Sequence, residues 1–250
     1  NGADGGNYKL SNTSYSANIG TITQLGSVTY VGSTGGNWSN PSNWAGGAIP
    51  TFGNVATVNI PSGLSVHFDY DSLSTAVPTS AIANNGTITF NGTANFTLSN
   101  VISGTGTLSQ LGQGVLTVAG NNSHSGGILV ASGSTIILGH ANALGTGSLT
   151  SQGGVLQVAS GVTLPQLTVN GAVTLASDIG TTGAQTYNGA VTLGDANTAV
   201  TLGAGLTVNT SASNSNITIA SSATIAGAGK ALTLNTGTGT ISITSALSGM

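Results

Sequence analysis

The chain has 250 residues, only 3% of them charged, a formal net charge of −3 at neutral pH and no cysteine. An ordinary soluble domain is roughly 25% charged, so this inventory excludes a nucleic-acid partner, which needs Lys and Arg against phosphate, and a polybasic membrane contact. No apolar run reaches the length of a membrane span, and without thiols there is no disulfide framework to hold a small fold.

The charged residues are Asp4, Lys9, Asp69, Asp71, Asp178, Asp195 and Lys230, with no Arg and no Glu. Gly, Ser, Thr and Asn fill the polar positions, and the strong helix formers are scarce. A hydrophobic fraction of 38% and a mean hydropathy of +0.27 argue against disorder over most of the chain. The segment opens at Asn1 with no basic or apolar leader, so it is expected to be part of a longer protein whose leader lies upstream or has been removed.

In chain order, residues 1–80 hold Trp38, Trp44, Phe52, Phe68 and most of the tyrosines and prolines. The stretch Asn37 to Pro50 (NWSNPSNWAGGAIP) is aromatic and turn-rich, and a strand-like VATVNI follows at Val55 to Ile60. From Gly86 onward short strands open with glycine in two interleaved series. One starts at Gly86, Gly106, Gly127 and Gly147; the other starts at Gly92, Gly114, Gly133 and Gly154. A shared period of about 20 residues means two strands per repeat. Beyond residue 160 the spacing loosens, but apolar residues still alternate with Thr or Ser, as in AVTLA (Ala172 to Ala176), AVTLG (Ala190 to Gly194) and ALTLN (Ala231 to Asn235).

A repeat this short cannot bury a face alone, but stacking it on its neighbours builds a continuous narrow core. The pattern predicts an all-β, parallel β-solenoid with apolar residues such as Leu116 and Ile137 inward and Thr, Ser and Asn outward. A β-sandwich array is the alternative, since short alternating strands with glycine turns also suit it. A solenoid end exposes apolar cross-section, which makes the aromatic segment at 30–80 a cap or linker module ahead of solenoid repeats at 81–250.

Ser103 to Gly139 carries Gly104, Gly106, Leu108, Gly112, Gly114, Leu116 and Val118, followed by the Gly126–Gly127 turn. This stretch resembles the passenger-associated transport repeat of autotransporters and related exoproteins. TGAQTYNGAVTLG (Thr182 to Gly194) resembles a segment of filamentous-haemagglutinin-like exoproteins of two-partner secretion systems. NGADGGNYKLSN (Asn1 to Asn12) is similar to the tail of a small β module in such proteins, which makes 1–29 the end of a preceding module; GNWSNPSNWAGGAIP is similar to a stretch that follows those modules. The resemblance implies a right-handed parallel β-helix, exported through an outer membrane to the bacterial cell surface and acting in adhesion, aggregation or biofilm formation. It carries no catalytic residues.

The densest polar group is VHFDYDS. On a strand His67, Asp69 and Asp71 would share one face, and Asp69 with Asp71 are candidate Ca²⁺ ligands, set against an exposed edge made soluble by charge. His124 and His140 lie in turn-like segments and are expected as surface corner residues rather than members of a Ser/His/Asp triad. Trp38 and Trp44 are either a platform for a sugar ring or the seal on the end of the core. Sequons at Asn12, Asn37, Asn85, Asn91, Asn95, Asn121, Asn209 and Asn216 leave glycosylation open.

The function read from these features is the rod-like shaft of an adhesin, a non-enzymatic segment without cofactor. Its expected partners are neighbouring modules of the same exoprotein, with host-surface or matrix glycans beyond them. The alternative is a self-assembling extracellular filament or biofilm-matrix fibre whose partners are identical subunits. A polysaccharide lyase of the kind built on β-helices needs cationic groups near acidic Ca²⁺ ligands, and Lys9 and Lys230 stand at opposite ends of the sequence.

Overall fold

The computed structural model describes residues 8–10, 22–51, 54–69, 81–177, 179–182, 185–193, 199–201, 206–209, 216–219, 224–226, 231–243 and 247–248. It is an all-β solenoid of about seven turns with essentially no helix. Two eight-stranded parallel sheets run along it. The first begins at Gly36–Asn37 and Ser65–His67, continues through Thr87–Phe90, Thr107–Gln110, Ile128–Val130, Leu149–Ser151 and Leu167–Asn170, and ends at Gln185–Asn188. The second runs from Phe96–Leu98 through Val115–Val118, Thr135–Leu138 and Gly154–Val158 to Ile241–Ile243. Seven intervals between stacked strands, at about 4.8 Å each, make either sheet about 34 Å long.

A third, five-stranded sheet flanks the start of the rod. Tyr8–Leu10 pairs antiparallel with Ile22–Thr29, and from there Val55–Ile60, Ala81–Asn84 and Ile102–Ser103 stack in parallel. Parallel pairing therefore crosses residue 80 without a break, in Val58 with Ile82 and in Val66 with Ile88. The aromatic segment forms the opening coils of the rod.

Each sheet has an inward ladder. On the first, Val66, Ile88, Leu108, Ile128, Leu149, Val169 and Tyr187 lie one above another, all buried. On the second, Leu116, Ile136, Leu156, Leu175 and Leu193 do the same beneath Phe96. Fully burying one such side chain stabilises the fold by about 1.5–3 kcal/mol. The outward row beside it reads Val115, Thr135, Val155, Thr174, Thr192, Thr218 and Ser242. β-Branched residues pack well on such a half-buried pleated surface.

The register corrects two details of the sequence reading. Leu108 pairs with Ile128, so Gly126 rather than Gly127 stacks on Gly106. A Cβ at Gly126 would lie 2.4 Å from the Gly106 carbonyl oxygen, which only glycine tolerates, whereas Gly127 supplies the turn with a φ of +72°. In the second series Leu116 pairs with Phe96 and Ile136, so Ser134, not Gly133, follows Gly114. The inward residue is accordingly Ile136, and Ile137 faces outward, half-buried between Thr117 and Gln157. A one-residue slip exchanges the two faces of a strand.

Candidate functional site

Two places on the rod concentrate the residues that the sequence marks for chemistry. The first is the aromatic end. Its opening coil is long, with Asn37 paired to His67, and part of the extra length makes a loop over residues 38–51. A single 3-10 turn at Pro41–Asn43 folds that loop back; Asn40 caps it by accepting from the Ser42 N–H at 3.1 Å. Buried Asn54 ties down the far side, accepting from the Thr51 N–H at 2.6 Å and donating to the Ile49 carbonyl at 2.9 Å. The side-chain amide thus replaces ladder partners that the loop lacks.

Folding back puts Trp44 on Trp38, with ring centroids 4.6 Å apart at 62°, and on Tyr30 at 5.3 Å. Trp38 meets Phe68 at 4.9 Å, and Phe68 lies against Phe90 and Phe96 at 5.5 and 5.2 Å. Edge and tilted contacts of this kind add about 0.5–1.5 kcal/mol each beyond area burial. The Trp44 indole N–H donates to the Trp38 carbonyl at 2.8 Å, and the Tyr30 hydroxyl donates to the Ser33 carbonyl at 2.7 Å. Burial raises the Tyr30 phenol above its ordinary value, partly opposed by the Gly36 backbone. Trp38 and Trp44 are 0% and 2% exposed. A sugar platform needs an open ring face, which neither indole presents; the two fill the core of the opening coils.

His67 and Asp69 sit on the coil just above. His67 Nδ1 is 3.2 Å from Asn37 Oδ1. Asp69 is buried, and Ser39 occupies both its oxygens: the Ser39 N–H donates to Oδ1 at 2.9 Å and the Ser39 hydroxyl donates to Oδ2. The carboxylate thus pins one coil to the next, each oxygen accepting one bond from Ser39, and it is not the exposed, charged strand edge expected as one reading. Asp71 lies outside the described residues. Among the described residues no group of His, Asp or Glu is arranged to hold a metal ion.

The second place is the third side of the rod past Ile102. Here asparagine side chains substitute for strand pairing. The Ile102 N–H donates to Asn122 Oδ1 at 2.9 Å, and Asn122 Nδ2 donates to the Ala143 carbonyl at 2.9 Å. His124 follows in the same stack with its backbone N–H on the Ile102 carbonyl at 3.2 Å. Contrary to the expectation of a surface corner, His124 is fully buried, and neither ring nitrogen has a hydrogen-bond partner. Desolvation lowers its pKa below the ordinary histidine value, partly opposed by the Gly127 backbone. His140 stays at a half-buried corner and accepts from the Asn142 N–H at 3.0 Å.

Two neutral grooves mark the outside. One, of about 600 Å³, is lined by Ser125, Asn142, Gly145, Ser148, Gln166 and Thr168 among others. The other, of about 410 Å³, lies along Thr34, Ser65, Asn85, Thr87, Thr105 and Thr107. No charged residue lines either one. No protein-family model, curated protein or solved structure matches the chain.

Proposed function

We propose that this chain is a load-bearing, adhesive shaft: a segment of a secreted bacterial surface exoprotein that holds binding modules away from the cell. The observation that supports it most is the unbroken ladder from the aromatic coils into the repeats. One apolar column follows one backbone hydrogen-bond direction through most of each eight-stranded sheet, from Val66 to Tyr187 in the first and from Phe96 to Leu193 in the second. Such a stack resists bending and carries load through many equivalent contacts. Its outward Thr, Ser and Asn rows interact without net charge, so the rod stays indifferent to salt. The aromatic coils then close one end of the core against a neighbouring module, and the grooves offer hydroxyl and amide groups of the kind that meet neutral glycans.

The reading has a direct test. The chain is inserted between an outer-membrane anchor and a known binding module, and displayed on bacteria. Adhesion under flow should persist and should fall when whole repeats such as 107–126 are deleted. Equal adhesion at every length, or ordered fibres growing from the isolated chain in electron micrographs, would replace the shaft reading with that of a self-assembling filament.

A further inference from the structure

Among the described residues four asparagines precede a glycine: Asn85, Asn91, Asn170 and Asn188. This dipeptide is chemically fragile because glycine has no Cβ to shield its backbone nitrogen. That nitrogen can attack the asparagine Cγ; the side-chain amide leaves as ammonia, and a five-membered succinimide closes. Water then opens the ring at either carbonyl, giving aspartate or isoaspartate, and no oxidant or other co-reactant is needed. The reaction demands a free side chain.

Three of the four are locked by the coil above or below. Asn85 Oδ1 accepts from the Thr105 N–H at 3.1 Å and from its hydroxyl at 3.3 Å, and the attacking Gly86 N–H is itself held by Asn84 Oδ1 at 3.2 Å. Asn170 donates to Ser148 Oγ at 3.1 Å and accepts from Asn188 Nδ2 at 2.9 Å. That second bond locks Asn188 as well. Asn91 is exposed, at the corner between the first and second sheets, and no hydrogen bond holds its side chain.

We propose that Asn91 is a built-in site of spontaneous deamidation, at which the mature rod acquires a negative charge and, in the isoaspartyl product, an extra backbone methylene. The corner is a poor place for that methylene. The Leu111 and Gly112 N–H groups both donate to the Phe90 carbonyl, at 2.7 and 3.1 Å, and the Gly114 N–H donates to the Gly92 carbonyl at 3.1 Å. A Cβ placed at Gly112 would come within 2.2 Å of that same Gly92 oxygen, so the next coil is seated directly on the modified backbone. Conversion to isoaspartate shifts these carbonyls and loosens the seat of residues 111–114. Plain aspartate leaves the backbone as it was.

The test ages the folded protein in mildly alkaline buffer made with heavy-oxygen water, followed by peptide mass mapping and isoaspartate detection. Asn91 should convert at least about fivefold faster than Asn85, Asn170 or Asn188, the factor set by opening one hydrogen bond. In denaturant the four should convert at similar rates, showing that the fold creates the difference. The isoaspartyl fraction should be cut by protease near residues 111–114, whereas Asn91→Asp should resist like the parent. Conversion of any locked site as fast as Asn91 in the folded protein overturns the proposal. So does an Asn91 that converts no faster folded than the locked sites do, and so does equal protease resistance of the isoaspartyl form.

Discussion

Acidification should find one weak point in this rod, His124. Its imidazole is fully buried with no well-formed hydrogen bond to either ring nitrogen, and desolvation lowers its pKa below the ordinary value, partly opposed by the Gly127 backbone; no charged neighbour contributes to the shift. The unfolded chain binds a proton there at about pH 6.5, whereas the folded chain resists it. A lowered folded-state value means that the unfolded state holds more protons below that pH. Stability is therefore complete above about 6.5 and falls as pH drops, by up to about 1.4 kcal/mol per pH unit, until the lowered folded value is reached. The loss should start locally, because His124 shares its stack with Asn122, Ile102 and the turn at 142–147. Urea melts at a series of pH values followed by circular dichroism measure the total; hydrogen exchange of the Ser123 and Thr146 amides reads the local part. His124→Leu, near in volume and free of unsatisfied nitrogens, should flatten the pH profile without lowering stability at neutral pH. A parent protein equally stable on both sides of pH 6.5, or a variant that keeps the parent's slope, would refute the argument.

Three further outcomes follow from the aromatic end. Trp44→Ala removes the ring that bridges Trp38 and Tyr30 and should cost about 3–5 kcal/mol in denaturant melts, with loss of the near-ultraviolet dichroism of the cluster. Asp69→Asn should cost about 1.5–3 kcal/mol, since it weakens a charge-assisted bond to Ser39. Added Ca²⁺ or chelator should leave the parent's melting temperature unchanged, because the Asp69 oxygens are already engaged; a Ca²⁺-dependent rise of the kind produced by ligand linkage would restore the metal reading.

The repeat was legible because Gly-x-Leu and alternating Thr are local signals of a strand with one buried face. Its parity was less so. In Thr135–Ile136–Ile137–Leu138 two adjacent isoleucines fit either face, and only pairing with Leu116 and Leu156 selects Ile136. The Gly126–Gly127 doublet hides the register in the same way. At the aromatic end the first coil runs 30 residues from Asn37 to His67, so no period of 20 could show that it belongs to the same stack. VHFDYDS looked like an exposed acidic face because the partner of Asp69 is Ser39, also 30 residues away. His124 looked like a polar turn for a related reason: its burial comes from coils on both sides, and nothing in NNSHSGG encodes them. Contacts between coils decided what the windows along the chain could not.

Stacking sets the inward and outward alternation, and the two neighbouring isoleucines test it with the chemistry held constant. Ile136 is 0% exposed between Leu116 and Leu156, while Ile137 is half-buried on the outer face. Aspartate at 136 places an uncompensated carboxylate in the apolar column and should cost several kcal/mol; aspartate at 137 meets water beside Thr117 and Gln157 and should cost about 1 kcal/mol or less. The measurement is the pair of denaturant melts, Ile136→Asp against Ile137→Asp. The solenoid predicts a large loss for the first and a small one for the second; equal losses, or the reverse order, would contradict the register and the fold built on it.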